Sequence, residues 1–257
     1  MDLTKQFRLD GKTALITGAG RGIGRGIAQA FAAAGADVAL LSRTRSDLDD
    51  VAAGVARLGR KAIVLPCDVG DNEALSQAVE TAVSELGRLD VLVNNAGGAG
   101  PNDPLRTTPE QFLKALEWNV VPAFALTRLA VPYLRGSEAA SVINITSAAA
   151  RYAQRSFSNY GTAKAALTQL TRLLAQDFAP TVRVNAIAPG PVVTDALAKF
   201  LTPEVRTAME KRTPLARLGT VEDIAAAALF LASPASSWMT GKILELDGGA
   251  EATVWPL

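Results

Sequence analysis

Short apolar runs alternate with stretches of helical periodicity through the first third of the chain. Four of these runs have the length and the branched residues that are typical of buried strands. Near-continuous apolar strands that alternate with helices form a parallel sheet covered on both faces, so the pattern predicts an α/β fold. The predicted strands are 12–17, 37–42, 61–66 and 90–93, and the predicted helices are one that ends near 34, 46–58 and 72–86. Later apolar runs at 141–146 and 242–246 predict two more strands.

The size and charge of the chain restrict its organisation and its partners. Its 257 residues contain no linker, repeat or low-complexity segment, which predicts one large domain over residues 1–257. The net charge is +1 with acidic and basic residues interspersed, so we expect neither a nucleic acid nor an anionic membrane as a partner. The first residues lack a signal-peptide core, and no apolar run reaches membrane-spanning length. We therefore expect a cytoplasmic protein that acts on a small molecule.

The residue types that are missing restrict the chemistry. The chain has one cysteine, Cys67, which excludes an intrachain disulfide and a metal cage made of thiolates. It has no histidine, which excludes Ser-His-Asp and Cys-His catalysis and argues against a zinc centre. Acid–base chemistry must therefore use tyrosine, lysine or carboxylate groups, and we predict no metal site.

A glycine-dense turn follows the first predicted strand and precedes the first helix. Its spacing from Thr17 to Gly24 is T-G-x-x-x-G-x-G, and no frame fits the commoner G-x-G-x-x-G. The backbone N–H groups of such a turn and the positive end of the helix suit a phosphate, although a glycine-rich turn without a ligand is the alternative. The predicted phosphate-binding residues are Gly18, Gly20, Arg21, Gly22, Ile23 and Gly24.

The end of the second strand predicts which dinucleotide binds. An NAD site usually has a carboxylate there for the ribose hydroxyls, whereas this chain has Ser42, Arg43 and Thr44. A guanidinium pairs with the 2′-phosphate of NADP, and Arg21 in the glycine turn adds a second one. The alternative is that these arginines are solvated surface residues. We predict that NADP(H) is preferred with Arg43 as the main selector, and that NAD(H) remains possible.

Two further strand ends carry polar or small residues. Asp68 and Val69 follow the third strand and predict contacts to the adenine side, although Asp68 is equally suited to cap the next helix. Asn95, Ala96 and Gly97 follow the fourth strand, where small residues let the backbone pass beneath a cofactor. A plain turn has the same composition. We assign all five residues to the predicted dinucleotide site.

Residues 141–164 bring a hydroxyl, a phenol and an ammonium together. Ser147 follows a predicted buried strand, and Tyr160 and Lys164 share one face of the predicted helix that comes next. Singly, each is more often a cap or an ordinary helix residue. A unit charge ~4 Å from the phenol supplies about 4 kcal/mol at an effective dielectric of ~20, which is about three pKa units. We therefore expect Lys164 to lower the pKa of Tyr160 towards neutrality.

An ordered set of motifs spans the chain from about residue 9 to residue 249. The motifs are Thr17-Gly18-x-x-x-Gly22-x-Gly24, Asn94-Asn95-Ala96-Gly97, Asn119, Ser147, Tyr160-x-x-x-Lys164 and Pro189-Gly190 leading to Thr194. With this set the chain resembles the short-chain dehydrogenase/reductase family. The resemblance implies a single Rossmann-type, doubly wound, parallel seven-stranded sheet in the order 3-2-1-4-5-6-7, with helices on both faces. It also implies NAD(P)(H) as the cofactor and a homotetramer or homodimer.

The same resemblance implies roles for individual residues. Tyr160 is the acid–base group, Ser147 hydrogen-bonds the substrate oxygen, and Lys164 activates Tyr160 and holds the nicotinamide ribose. Asn119 orders a water in a proton relay. Thr194 faces the nicotinamide carboxamide, although it is equally suited to cap a helix. The predicted cofactor site is completed by Tyr160, Lys164, Pro189, Gly190, Val193 and Thr194.

Several segments are also similar to bacterial 7α-hydroxysteroid dehydrogenases, among them 94–101, 187–190 and 213–219. This similarity predicts the interconversion of a ketone and a secondary alcohol on a bulky apolar, steroid-like molecule, although Arg43 departs from the NAD-using members. A 3-oxoacyl-carrier-protein reductase is the alternative within the family, and a non-catalytic NADP-binding sensor or scaffold is the alternative of another class. The predicted substrate contacts are Ser147, Tyr152, Ala99 and Leu197, under a lid at about 191–215.

Overall fold

The computed structural model describes residues 2–256. Strands and α-helices alternate along these residues, with short 3₁₀ turns at Leu3–Phe7, Ala148–Ala150 and Pro234–Ser236. None of the helices within residues 2–256 is long and apolar enough to cross a membrane. The strands are β1 (Thr13–Thr17), β2 (Asp37–Ser42), β3 (Ala62–Pro66), β4 (Val91–Asn94), β5 (Ser141–Ile145), β6 (Arg183–Pro189) and β7 (Ile243–Leu246). The α-helices are α1 (Gly22–Ala33), α2 (Arg45–Arg57), α3 (Asn72–Leu86), α4 (Pro109–Asn119), α5 (Val121–Leu134), α6 (Ser158–Phe178), α7 (Asp195–Ala198), α8 (Pro203–Arg212) and α9 (Val221–Ala232).

These seven strands form one parallel sheet in the order β3-β2-β1-β4-β5-β6-β7. The sheet confirms the α/β class and the strand order that the family resemblance implies. The predicted bounds are correct for β2 and α3, and the ends of the other predicted strands differ by one residue. The sequence pattern made no assignment where α4 and α5 lie, because only Val120 separates these helices and α5 contains an internal proline, Pro132.

Both faces of the sheet are apolar, because successive residues of a strand point to opposite faces. In β1, Leu15 packs into a cluster with α3, α5 and α6, whereas Ile16 packs into a cluster with α1, α2 and α9. Both side chains are completely buried. The helices therefore cover the sheet on both sides, as the near-continuous apolar strands predict.

The parallel arrangement also determines where a ligand site can form. All strands end at the same edge of the sheet, and the loops that lead into the following segments gather there. The glycine turn after β1, the polar residues after β2 and β4, and Ser147 after β5 therefore meet at this carboxyl edge. The turns that lead into the strands lie at the opposite, amino-terminal edge.

Candidate active site

A cleft of about 600 Å³ opens at the carboxyl edge of the sheet. It is lined by the residues that follow β1 through β6, by one face of α6 and by the segment that contains α7 and α8. The cleft therefore brings together most of the residues that the sequence predicts for the site. The predicted site residues that are not among the lining residues are Gly24, Asp68, Asn119 and Val193.

The glycine turn has a backbone that requires glycine at two positions. Gly18 and Gly22 have φ angles of +62° and +54°, a left-handed region that favours glycine. Arg21 precedes α1 without a side-chain hydrogen bond to the helix, so the first N–H groups of α1 have no side-chain cap. Gly24 lies under the turn, where a Cβ would collide with the carbonyl oxygen of Gly18. Gly24 therefore packs the helix against the turn instead of lining the cleft.

The end of β4 braces the glycine turn. The Thr17 hydroxyl accepts hydrogen bonds from the N–H groups of Asn95 and Ala96, both at 2.9 Å. The side-chain amide of Asn95 donates to the carbonyl oxygen of Thr17 at 2.9 Å. These bonds join the ends of β1 and β4 and thereby fix the floor of the cleft.

The end of β2 holds one guanidinium and one unpaired hydroxyl. The Arg43 guanidinium lies over the ring of Trp118, 5.2 Å from its centre, and 4.0 Å from the carboxylate of Asp68. Asp68 itself accepts a hydrogen bond from the N–H of Gly70, so it orders the turn after β3 and stands outside the cleft wall. The Ser42 hydroxyl is buried and has no hydrogen-bond partner among residues 2–256.

Ser147, Tyr160 and Lys164 face the same part of the cleft. Ser147 lies two residues after the end of β5, and Tyr160 and Lys164 lie on the first turns of α6. The Nζ of Lys164 is 5.8 Å from the centre of the Tyr160 ring and donates a hydrogen bond to the carbonyl oxygen of Ile145 at 2.9 Å. The end of β5 thus positions the Lys164 ammonium by a hydrogen bond. It also positions the Ser147 hydroxyl, because Ser147 comes shortly after the strand in the sequence.

The pKa values of Tyr160 and Lys164 differ from those expected from the charge of Lys164 alone. Burial raises the pKa of Tyr160, and the Ser147 hydroxyl, which lowers this pKa, offsets the rise only in part. Burial also lowers the pKa of Lys164 to about 8. The expectation that Lys164 brings the phenol towards neutrality is therefore wrong in direction. The physical reason is that both groups are desolvated, and burial is the largest cause of each shift.

Asn119, the last residue of α4, holds the loop that follows β4. Its side-chain oxygen accepts a hydrogen bond from the N–H of Gly98 at 2.8 Å, and its amide donates to the carbonyl oxygens of Gly98 and Ala115 at 3.2 and 2.9 Å. A Cβ on Gly97 would lie 2.7 Å from the Asn119 oxygen and 3.2 Å from the Lys164 Nζ. Asn119 is buried and reaches the site through this glycine loop.

The segment after β6 closes the cleft from the far side. The N–H of Gly190 donates to the carbonyl oxygen of Leu246 at 2.9 Å, which ties the segment to β7. The Thr194 hydroxyl accepts from the N–H of Leu197 at 3.4 Å and so caps α7, while Thr194 also lines the cleft. Val193 donates its N–H to the carbonyl oxygen of Gly219 and packs against a separate apolar cluster.

The outer part of the cleft is largely apolar. Tyr152, Ala99 and Leu197 line it as predicted substrate contacts, together with Met209 of α8 and residues of the C-terminal tail. The guanidinium of Arg151 holds the tail through the carboxylates of Asp247 and Glu251. Sequence reasoning did not place the tail residue Trp255 in this cleft, nor Trp118 and Asp47 at the other end. Trp118 directly precedes the motif residue Asn119, which is the one signal in the sequence that could have found it.

Comparison with known proteins gives consistent findings. A family model described as Enoyl-(Acyl carrier protein) reductase matches residues 18–251. The chain is 53% identical over 245 residues to an uncharacterized oxidoreductase of Mycobacterium tuberculosis, a match that covers 95% of this chain and 93% of the relative. It is 43% identical over 243 residues to the 7α-hydroxysteroid dehydrogenase of Escherichia coli K12, which covers 94% of this chain and 95% of that enzyme. The solved structure of a 7α-hydroxysteroid dehydrogenase complexed with NADH and 7-oxo glycochenodeoxycholic acid matches with a TM-score of 0.94 at 42% identity, covering 97% of this chain and 98% of that one.

Proposed function

Because this chain belongs to the short-chain dehydrogenase/reductase family, we propose that it exchanges hydride between NADP(H) and a ketone or secondary alcohol of a bulky apolar, steroid-like molecule. The chain is an NAD(P)-dependent oxidoreductase related to hydroxysteroid dehydrogenases. The observation that carries the finer proposal is the convergence of Ser147, Tyr160 and Lys164 in a cleft that also contains the glycine turn.

The donor groups of the cleft fit a dinucleotide. The glycine turn allows a phosphate to approach the N–H groups at the start of α1, where no side-chain cap competes. The buried hydroxyl of Ser42 lacks a partner in the described part of the chain and suits a ribose hydroxyl. When bound, the nicotinamide supplies or accepts the hydride. The residues that we propose to bind the dinucleotide are Gly18, Gly20, Arg21, Gly22, Ile23, Ser42, Arg43, Thr44, Val69, Asn95, Ala96, Gly97, Tyr160, Lys164, Pro189, Gly190 and Thr194. We propose that Gly24, Asp68 and Val193 support this site from outside the cleft wall.

Four side chains of the site have separate roles in the proposed proton transfer. The raised pKa of Tyr160 keeps the phenol protonated near neutral pH, so it stands ready to donate a proton to the oxygen of a carbonyl substrate. The Ser147 hydroxyl donates a hydrogen bond to the same oxygen and stabilises the charge that develops there. Lys164, fixed by Ile145, stabilises the phenolate that remains. Asn119 positions this group by holding the loop at Gly97.

Arg43 is our proposed selector for NADP(H). A guanidinium at the end of β2 pairs with a 2′-phosphate, and Arg21 in the glycine turn adds positive charge at the same end of the cleft. Stacking on Trp118 limits the conformations that Arg43 can adopt. Removal of Arg43 should lower the preference for NADPH over NADH. An unchanged ratio of kcat/KM for the two cofactors in Arg43→Ala would contradict this assignment.

The apolar outer cleft supports a bulky apolar substrate. Tyr152, Ala99 and Leu197 contribute walls on one side, and Phe200 and Trp255 contribute further apolar surface. We propose that residues 191–215, which contain α7 and α8, act as a lid over this part of a single domain that spans residues 1–257. Apolar walls of this kind suit a fused-ring molecule better than a small polar alcohol.

A second candidate function is the reduction of an acyl chain attached to a carrier protein. The substrate would be either a 3-oxoacyl thioester or, following the description of the matching family model, an enoyl thioester. A carrier protein is acidic and needs a basic docking surface close to the cleft. The turns at 136–140 and 179–181 contain no lysine or arginine, but they lead into β5 and β6 and so lie at the edge of the sheet opposite the cleft. Their composition therefore does not bear on docking at the cleft, and we rank this function second because a 43% identical relative is a 7α-hydroxysteroid dehydrogenase.

We propose a homotetramer or homodimer as the assembly. Exposed apolar side chains lie on three helices that pack together, namely Leu113 on α4, Val121 and Phe124 on α5 and Leu173 on α6. Trp238, before β7, is fully exposed. Large apolar side chains that gather on a surface mark contacts between proteins. Sedimentation of the purified chain as a monomer would contradict this proposal.

The test of the function is a substrate panel. Oxidation of NADPH would be followed with a ketosteroid, a quinone and an acetoacetyl thioester at matched concentrations. We expect the highest kcat/KM with the ketosteroid. Preference for the thioester would favour the acyl-chain function, and tight NADPH binding without turnover of any compound would favour a non-catalytic sensor or scaffold.

A further inference from the structure

Asp47 lies against the glycine turn and lines the cleft, although it is in the first turn of α2. A Cβ on Gly20 would lie 2.8 Å from the Cβ of Asp47 and 3.6 Å from one of its carboxylate oxygens. The missing side chain of Gly20 is therefore what allows the carboxylate to approach the turn. Asp47 is half-buried there.

The unpaired hydroxyl of Ser42 belongs to the same spot. Its oxygen is 3.2 Å from the position of a Cβ on Gly20, and it is buried without a partner among residues 2–256. An unpaired buried hydroxyl is unfavourable, and its partner in a functional site is commonly a ligand group. An acceptor from α2 and a hydroxyl from β2 thus flank the point at which Gly20 leaves space.

The guanidinium of Arg43 is directed away from this spot. It lies over the Trp118 ring and beside the Asp68 carboxylate, on the side of the cleft that β3 and α4 form. In the described part of the chain, no lysine or arginine nitrogen lies within 4.0 Å of the Asp47 carboxylate. The negative charge beside Gly20 is therefore not neutralised by a direct ion pair with those residues.

In folds of this type, the adenosine ribose of a dinucleotide is bound near the end of the second strand, beside the glycine turn. A carboxylate at that point accepts hydrogen bonds from the 2′- and 3′-hydroxyls and repels a 2′-phosphate. We propose that Asp47, with Ser42, binds the hydroxyls of the adenosine ribose and thereby favours NAD(H), in opposition to Arg43. Asp47 then supplies from α2 the carboxylate that the end of β2 lacks.

This inference rests on the proposed function and makes it more specific. The preference between the two cofactors becomes the difference between two contacts on opposite sides of the ribose. Arg43 stabilises the phosphorylated form, and Asp47 stabilises the form with a free 2′-hydroxyl. The chain should consequently bind both NADPH and NADH, with a preference that is smaller than Arg43 alone would give.

The test is a comparison of Asp47→Asn with the wild-type protein. Dissociation constants for NADPH and for NADH would be measured by calorimetry on the full chain, so that turnover is not needed. We expect Asp47→Asn to weaken NADH binding by about ten-fold, as the loss of a hydrogen bond to a charged group predicts, and to leave NADPH binding unchanged or tighter. Asp50→Asn, on an exposed part of the same helix, is the matched control and should change neither constant.

Two further variants keep the outcomes distinct. Arg43→Ala should shift the ratio in the opposite direction, by weakening NADPH alone. Ser42→Ala should weaken NADH without altering charge, and it provides a second measurement if Asp47→Asn does not fold. Equal effects of Asp47→Asn on both dinucleotides, or none on either, would overturn the inference and leave the oxidoreductase function intact. Failure of the wild-type protein to bind either dinucleotide would overturn both.

Discussion

The two edges of the sheet differ in how many hydrogen-bond and ion-pair partners their buried polar groups have. At the amino-terminal edge, the buried carboxylate of Asp90 accepts hydrogen bonds from the Arg88 guanidinium at 2.8 and 2.6 Å and from the N–H of Thr13 at 3.0 Å. The hydroxyl of Ser137 donates another, and Lys12 forms an ion pair at 3.5 Å. Burial tends to raise the pKa of this carboxyl, but its donors outweigh burial and hold the pKa below its ordinary value.

The carboxyl edge leaves comparable groups with few partners. The Lys164 ammonium, which can donate three hydrogen bonds, makes one to Ile145 among the described residues, and burial lowers its pKa to about 8. The Ser42 hydroxyl is buried with no partner in residues 2–256. The carboxylate of Asp47 lines the cleft without an ion pair to a described lysine or arginine.

This difference predicts that the buried polar groups stabilise the fold at the amino-terminal edge and lower its stability at the carboxyl edge. A buried charge that is fully hydrogen-bonded holds its neighbours in place, whereas a buried group without partners weakens the fold and remains available to a ligand. The amino-terminal edge is therefore expected to determine stability, and the carboxyl edge is expected to determine activity. Each of the following substitutions tests one side of this comparison.

The largest expected effect is a loss of activity without a loss of stability. Tyr160→Phe removes only the phenolic oxygen, so we expect kcat to fall by about 10²–10⁴-fold while NADPH binding and the melting temperature change little. Steady-state kinetics, calorimetry and thermal unfolding would measure the three quantities. Tyr133→Phe, which alters an exposed tyrosine on α5, is the control. A Tyr160→Phe enzyme with near wild-type kcat would contradict the assignment of the proton donor.

A substitution at the opposite edge should have the opposite result. Asp90→Asn removes the negative charge that accepts hydrogen bonds from Arg88, Ser137 and Thr13. We therefore expect the free energy of unfolding to fall by about 3 kcal/mol. The kcat of the folded enzyme should stay within about two-fold of wild type, because Asp90 is not part of the cleft. Urea unfolding and kinetics well below the melting temperature would separate the two effects. A stable variant with reduced kcat would remove the distinction between the edges.

Lys164→Met should increase stability at neutral pH while abolishing turnover. The ammonium is buried at a pKa of about 8 instead of its ordinary 10.5, which corresponds to about 3 kcal/mol of destabilisation when it is charged. Loss of the hydrogen bond to Ile145 offsets about 1 kcal/mol of this. We therefore expect a gain of about 2 kcal/mol in the free energy of unfolding at pH 7. Lys114→Met, at an exposed position on α4, should give no comparable gain.

The same variant predicts a dependence on pH whose sign is fixed. Between pH 8 and pH 10.5 the unfolded wild-type chain binds more protons at Lys164 than the folded chain does, so wild-type stability rises with pH in this interval. The penalty is complete below the folded pKa of about 8 and absent above the unfolded value. The advantage of Lys164→Met should therefore shrink from pH 7 to pH 9.5 in urea unfolding. An advantage that is constant or grows with pH would show that the ammonium is not destabilised by burial.

The sequence predicts the sheet and the motif positions because both depend on local patterns. Apolar runs predict the bounds of six strands within one residue and miss β6, and the resemblance places Ser147, Tyr160 and Lys164 at the ends of elements that meet at one edge. Family motifs also direct attention to Asn119. Its observed contacts to the Gly98 loop are a matter of packing that the motif alone does not reveal.

What the sequence does not predict depends on contacts between distant segments. Asp47 reaches the glycine turn only because α2 packs beside it and Gly20 leaves space. Trp255 lines the cleft because Arg212 of α8 donates a hydrogen bond to its carbonyl oxygen at 2.7 Å. The direction of the Tyr160 pKa shift is likewise a result of burial, which no spacing between Tyr160 and Lys164 reveals.

The smallest expected effect compares two buried serine hydroxyls. Ser141, at the start of β5, donates to the carbonyl oxygen of Leu231 at 2.8 Å, whereas the Ser42 hydroxyl at the end of β2 has no partner in the described residues. Ser141→Ala should therefore lower the free energy of unfolding by about 1 kcal/mol, and Ser42→Ala should leave it unchanged or raise it by up to about 1 kcal/mol. Urea unfolding of both variants under one set of conditions would measure the difference. Because the same atom is removed in each case, opposite signs would assign the difference between the edges to hydrogen-bond partners, and equal losses would mean that Ser42 is as well satisfied as Ser141.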